Sequence, residues 1–283
     1  MKILVFGETG QLARELARAP GEDEIICMGR THADFTDPQS CALLVAEIAP
    51  DAVINAVAYT AVDRAEEEEP LATTINATTP GAIATACAAA GIPLVHVSTD
   101  YVFDGSGSAP WQPQDATAPL GAYGRSKLAG EEAVRAAGGR HAILRTSWVV
   151  SAHGANFVKT MLRLGATRDS LTVVSDQIGG PTPAADLAAA CLCVARGLVD
   201  GAASGTWHFS GAPDVSWADF AREIFAQSGL ACTVTDIPGR DYPTPAARPG
   251  NSRLDCTGLE TVFAVKRPDW RGGLRAILDE LKA

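Results

Sequence analysis

Tyr123-Gly124-Arg125-Ser126-Lys127 sets a phenol and an amine four residues apart. On a helix, that spacing puts both side chains on one face. A free tyrosine, with a pKa near 10, exchanges protons poorly at neutral pH. An ammonium one turn away stabilises the phenolate and brings the group towards the working range. Upstream, Val97-Ser98-Thr99-Asp100 ends a predicted strand, and Thr99 carries a hydroxyl able to hydrogen-bond a carbonyl oxygen. Together the three residues form a proton-donating set suited to reducing a carbonyl, with Tyr123 as the acid, Lys127 tuning it and Thr99 polarising the substrate.

Such chemistry needs a hydride source, and the N-terminus offers a place for one. Gly7-Glu8-Thr9-Gly10-Gln11-Leu12-Ala13 follows the first predicted strand, spaced G-x-x-G-x-x-A. One glycine makes the tight turn, a second admits a pyrophosphate close to the backbone, and a small third residue lets helix and strand pack. Dinucleotides bind at such turns, against free N–H groups. In NAD-binding chains an acid about 20 residues further on grips the ribose hydroxyls. Here the second strand ends Met28-Gly29-Arg30, without an acid. An arginine at that place suits a 2′-phosphate, so NADPH is favoured and NADH is the alternative. Asp34 and Phe35 follow, within reach of the adenine.

These residues require a frame, and the pattern supplies one. Predicted strands Lys2–Phe6, Glu24–Met28, Ala52–Asn55, Pro93–Ser98 and His141–Thr146 alternate with helices over Gln11–Arg18, Asp37–Ala49, Leu71–Ala90 and Gly121–Ala137. Pro20-Gly21 and Gly91 read as helix stops, and Asp37-Pro38 as an N-cap followed by proline at the first helical position. Alternation of this kind predicts a doubly wound parallel sheet of Rossmann type. Beyond about residue 150 the pattern loosens into strands (Leu171–Val174, Thr206–Phe209, Thr233–Asp236), helices (Asn156–Leu164, Ala184–Arg196, Trp217–Gln227, Trp270–Leu281) and Pro/Gly-rich loops. The expected organisation is a dinucleotide-binding domain over 1–150 and a smaller substrate-binding lobe over 151–283, partly interleaved with it.

Bulk properties narrow the rest. With 283 residues, 47% hydrophobic and 20% charged, the chain can bury a large core. A net charge of −10 without a Lys/Arg run points away from nucleic acid. No apolar run is long enough to span a bilayer, and Ile3–Phe6 is too short for a signal-peptide core. Seven scattered cysteines show no zinc spacing; they read as buried thiols of a reducing compartment, the cytoplasm.

Several segments resemble the extended short-chain dehydrogenase/reductase superfamily and, more closely, the dTDP-4-dehydrorhamnose reductase family. They are Gly7–Leu12, Asn55–Glu66, Ser98–Gly105, Tyr123–Lys127, Arg145–Val149, Asn156–Val158, Asp176–Thr182 and Arg248–Ser252, spread over nearly the whole chain. Tyr-x-x-x-Lys alone would give only the superfamily. The resemblance implies reduction of the C4 ketone of a dTDP-linked 6-deoxy-4-hexulose in dTDP-L-rhamnose synthesis. It implies a cofactor lined by Gly7, Gly10, Gln11, Leu12, Arg30, Asp34, Phe35 and Ala58-Tyr59-Thr60, with Lys127 also holding the nicotinamide ribose. Thr99, Tyr123 and Lys127 would be catalytic. Thr99, Asp100 and Trp148 would touch the sugar, and Arg248 the nucleotide diphosphate. The resemblance also implies, from some family members, a divalent ion held between subunits by carboxylates from several segments. Glu15 matches the first, but Ala185 stands where the second belongs and Asp186 is displaced by one, so no Mg²⁺ is assigned and a homodimer through that surface stays open. Two alternatives remain: another nucleotide-sugar 4-ketoreductase or an epimerase, and a non-catalytic NADP-binding regulatory subunit, against which the full Thr99, Tyr123, Lys127 set argues.

Overall fold

The computed structural model describes residues 1–19 and 21–282; Pro20, expected to help stop the first helix, lies outside them. The first half runs β1 (Lys2–Phe6), α1 (Gln11–Ala17), β2 (Glu24–Met28), α2 (Pro38–Ile48), β3 (Ala52–Asn55), α3 (Val62–Ala65), α4 (Glu69–Thr73), α5 (Thr79–Ala90), β4 (Leu94–Thr99), α6 (Ala122–Ala136) and β5 (His141–Thr146). All its strands pair in parallel, and the sheet order is Gly205–His208, β5, β4, β3, β1, β2. The chain winds outward from β1 to β2 and then returns to β3 on the other side. The switch point between β1 and β3 therefore opens a crevice at the carboxyl ends of the strands, where such sheets bind ligands.

Apolar runs make this sheet because helices cover both faces. On one face, Leu12 and Leu16 of α1 pack with Leu187, Cys191 and Val194 of the helix Ala184–Val199 over Ile3, Val5 and Ile54. On the other, Val45, Ile83 and Val134 pack over Leu4, Phe6 and Val53. The sheet's last strand and one of its covering helices thus come from beyond residue 150. A separate core gathers Val158, Met161, Phe220, Ile224, Trp270 and Leu274. It belongs to a smaller lobe with its own short sheets, including Ser170–Val174 paired with Thr233–Ile237. Side-chain caps start the helices where expected: Asp37 accepts from Ser40 N–H at 3.1 Å and Asn156 from Lys159 N–H at 3.2 Å. No helix among the described residues is long and apolar enough to cross a membrane.

One expected helix is divided. Residues 71–90 do not form a single α-helix: α4 passes into a π-helical turn, Thr74–Thr78, before α5. The extra residue in that turn has two causes. Pro80 has no N–H for a regular α-helical bond, and Asn76 points inward. Its Oδ1 accepts from Tyr59 N–H at 2.8 Å, and its Nδ2 donates to Tyr59 O at 3.2 Å and to Ser126 Oγ at 2.9 Å. A π turn widened this way commonly marks a site. Here it fixes the Ala58–Thr60 loop and presses against α6, where a Cβ on Gly130 would collide with the carbonyl of Asn76.

Helix α6 is tied to the sheet by a buried ion pair. Arg145 on β5 donates from Nε to Glu131 Oε1 at 2.8 Å and from Nη2 to Oε2 at 2.7 Å. Ser98 on β4 donates to the same carboxylate at 2.7 Å. The third guanidinium nitrogen of Arg145 reaches Pro113 O, and its plane lies over Phe103. Burial pushes the Glu131 carboxyl up, but Arg145, Ser98 and Arg135 together outweigh it and hold the group below its ordinary value of 4.5.

Two outcomes follow for stability. Gly130→Ala should destabilise the fold by about 1–3 kcal/mol through forced overpacking, whereas Gly272→Ala, with open space around its Cβ, should not; denaturant midpoints measure both. Glu131→Gln should cost about 3–5 kcal/mol, because it leaves Arg145 buried without its partner. Since the folded value of Glu131 is depressed, the pair contributes fully above the unfolded value near 4.5 and is lost as pH falls through the lower folded value. Unfolding followed across acidic pH should therefore show a shallower acid loss in the variant than in the unaltered chain.

Candidate active site

A cavity of about 620 Å³ opens at the switch point. Thr99 reaches it from the end of β4, Tyr123 and Lys127 from the first turns of α6, Gln11 and Leu12 from the start of α1, and Asp100 and Trp148 from loops after β4 and β5. A second cavity of about 500 Å³ adjoins it, sharing Thr9, Gly10, Ala56, Val57, Ala58 and Thr60. Gly7, Arg30, Asp34, Phe35 and Tyr59 line that second space. Residues separated by more than a hundred positions are thus brought to one continuous crevice. Arg248 stands apart, in a cavity of about 340 Å³ with Asp176 and Arg240. Its Nη2 donates to Asp63 Oδ1 at 2.8 Å.

The proton chemistry is set by burial. Lys127 is 1% exposed and its Nζ donates to Val97 O at 2.7 Å. Burial brings its ammonium down to about 8, with the Glu131 charge opposing. Burial likewise pushes the Tyr123 phenol up to about 12; the Thr99 hydroxyl opposes this and the Asp100 charge adds to it. The sequence expectation that Lys127 brings Tyr123 down is therefore corrected. The ammonium is turned to the Val97 carbonyl, and desolvation of the phenol decides the direction. The ring of Tyr123 is held edge-on against Tyr101, centroids 5.4 Å apart.

Asp100 is buried beside them. Its Oδ1 accepts from Thr99 Oγ1 at 3.1 Å, and its Oδ2 has no protein partner. Burial pushes the carboxyl up to about 6, with Ser252 and Thr99 opposing. Thr99 Oγ1 also accepts the Tyr101 N–H at 3.2 Å. Trp148 adopts a left-handed backbone conformation, φ +50°, which a bulky residue takes only when its surroundings impose it. Its indole stacks on Trp217 with centroids 3.5 Å apart. Trp217 and Phe157 complete the cavity wall. Sequence reading gave neither a site role, placing Trp217 at a helix start and Phe157 in a family segment; an aromatic beside a helix cap gives no signal of which cavity it faces.

The glycine turn has the expected form. Gly7 sits at φ +125°, a conformation costly for any other residue. Gln11 is clamped: its Nε2 donates to Val149 O, and its Oε1 accepts from Ser151 Oγ and Asn156 Nδ2. Phe35 is buried edge-on against Phe6, so it serves the core as well as the cavity. Elsewhere, Glu15, His153 and Glu280 gather with ligand atoms within 4.8 Å of one another. Arg18 stands in that group, 3.0 Å from Glu15 Oε2 and in a bidentate pair with Glu280 at 2.7 and 2.6 Å. Asp186 is not part of it.

Residues 1–283 match the family model described as RmlD substrate binding domain. A dTDP-4-dehydrorhamnose reductase of Sinorhizobium fredii is 43% identical over 286 residues, 98% of this chain and 97% of that protein. The crystal structure of a dTDP-4-dehydrorhamnose reductase from Clostridium acetobutylicum superposes with a TM-score of 0.93 at 39% identity, covering 100% of both chains. That of the Bacillus anthracis reductase, in complex with NADP, gives 0.92 at 35% identity, covering 99% of each. A nicotinamide cofactor goes with this fold and this set of side chains, and the chain belongs to the dTDP-4-dehydrorhamnose reductase family.

Proposed function

We propose that this chain reduces the C4 ketone of dTDP-4-dehydro-L-rhamnose to dTDP-L-rhamnose, with NADPH as the favoured cofactor. The observation that carries the reading is the convergence of Thr99, Tyr123 and Lys127 on one cavity that runs on into the glycine turn. Family membership and the NADP-bound relative support it. The crevice fits a dinucleotide: two joined spaces, a positive-φ glycine at the turn and a buried ammonium in the wall of the first. Gly7, Gly10, Gln11, Leu12 and Ala58–Thr60 would hold its middle, Arg30, Asp34 and Phe35 its adenosine end, and Lys127 the nicotinamide ribose.

When bound, the reduced nicotinamide supplies the hydride. The protein supplies the proton and the geometry. Tyr123 stays protonated at neutral pH because burial raises its phenol, and an alkoxide is far more basic than a phenolate. The phenol therefore protonates the sugar oxygen as charge develops there. Thr99 hydrogen-bonds the ketone oxygen, and the Lys127 ammonium, held in place by Val97 O, serves the nicotinamide ribose. Asp100, just past the end of β4, and Trp148, stacked on Trp217 of the smaller lobe, meet the sugar. Arg248 meets the diphosphate, exchanging Asp63 for a phosphate that its planar fork also matches. Seven free cysteines fit a reducing, cytoplasmic setting. The family's divalent ion does not fit here, since Arg18 already places a guanidinium among Glu15, His153 and Glu280.

Tyr123→Phe should lower kcat about 10²–10⁴-fold on the ketosugar, the usual contribution of general acid catalysis, with NADPH Kd nearly unchanged. Lys127→Ala should lower kcat and also weaken NADPH, and Thr99→Val should cost less than either. In the unaltered enzyme, kcat/KM should bend down as pH rises through the Lys127 value of about 8. Stopped-flow single turnovers and fluorescence titration separate these effects; wild-type turnover by Tyr123→Phe would remove the assignment. Chelation with EDTA should leave turnover intact, and loss of activity restored by Mg²⁺ would show that an ion does bind.

A further inference from the structure

The acid missing from the end of β2 is present in space. The Gly7 N–H donates to Met28 O at 2.9 Å, which draws the glycine turn across the end of that strand. Residue 8 must then face residue 29. The Glu8 carboxylate lies directly over Gly29, so close that a Cβ at 29 would have to displace it. Its charge is felt along β2, where it adds to the effect of burial in raising the Cys27 thiol. Both Glu8 and Arg30 line the second cavity.

The neighbours of Glu8 are already engaged or turned away. Asp34 Oδ1 accepts from both the N–H and the Oγ1 of Thr36, each at 2.9 Å. Arg30 extends into solvent, its side chain 84% exposed and 4.0 Å from Asp34. Glu8 makes no hydrogen bond or ion pair among the described residues, so both carboxylate oxygens are free to accept. In dinucleotide-binding sheets the adenosine ribose lies at the end of the second strand, where a carboxylate accepts from the 2′-hydroxyl and an arginine receives a 2′-phosphate.

We propose that Glu8 is the acceptor for the adenosine-ribose hydroxyls and sets cofactor choice against Arg30, so that the chain takes NADH as well as NADPH. This rests on the dinucleotide reading of the crevice. A 2′-hydroxyl donates to the Glu8 carboxylate. A 2′-phosphate is repelled by that carboxylate and attracted by the Arg30 guanidinium. The two side chains thus act with opposite sign on the same ribose.

Titration of NADH and NADPH by fluorescence, without sugar, tests the assignment on the unaltered chain, Glu8→Gln and Arg30→Ala. Glu8→Gln should weaken NADH about tenfold, the scale of one charge-assisted hydrogen bond, and leave NADPH unchanged or tighter. Arg30→Ala should weaken NADPH and spare NADH. Equal shifts for both cofactors in Glu8→Gln, or none, would overturn the inference. Failure of the unaltered chain to bind either cofactor would overturn the dinucleotide reading and this inference with it. A shift in selectivity without any turnover of the ketosugar would sustain the role of Glu8 and count only against the proposed substrate.

Discussion

The pair between Glu131 and Arg145 is the contact on which the site depends. Both charges are buried, and removing them from water costs several kcal/mol per ion unless each remaining polar atom is satisfied. That condition fixes their surroundings: Ser98 on the carboxylate, Pro113 O and the Phe103 ring on the guanidinium. Because Glu131 lies one turn past Lys127, Ser98 precedes Thr99 and Arg145 precedes Thr146, satisfying the pair also fixes α6 against β4 and β5. Tyr123, Lys127 and Thr99 take their mutual positions from it.

The same packing sets the electrostatics. Lys127, on the same helix as the close approach of Gly130 to Asn76, is 1% exposed. Desolvation then lowers the ammonium and raises the phenol and the Asp100 carboxyl. A proton donor that stays protonated beside an ammonium held in place suits reduction, where charge appears on the substrate oxygen. Such preorganisation is worth more in a water-poor cavity than it would be in solvent.

The smaller lobe acts on the site through aromatic contacts. Trp148 leaves β5 in a left-handed conformation and is held there by its stack on Trp217, itself packed against Phe157 and Phe220. The strain in the backbone is balanced by apolar contact drawn from two helices of the other lobe. The cavity wall facing Tyr123 is therefore built jointly by the sheet and the lobe, although the two have separate cores.

Much was legible in the sequence because its signals are local. Alternating apolar runs and a cap such as Asp37 specify strands and helices within a few residues. The spacing of Gly7 and Gly10, and of Tyr123 and Lys127, is itself a statement about one turn and one helix face. Family motifs spread over the chain identified the reductase family for the same reason. The division of the 71–90 helix was not legible, since it follows from Asn76 bonding to Tyr59, a contact between segments. Nor was the direction of the Tyr123 shift: spacing places Lys127 near the phenol, but only packing turns its ammonium to Val97 and excludes water. Arg18 among Glu15, His153 and Glu280, and the stacking of Trp148 on Trp217, likewise join positions far apart in the chain. Glu8 shows the limit most plainly. Counted along the sequence, no acid ends the second strand. In space, the hydrogen bond from Gly7 to Met28 places one there, because a turn crossing a strand end brings together residues that sequence spacing keeps about twenty positions apart.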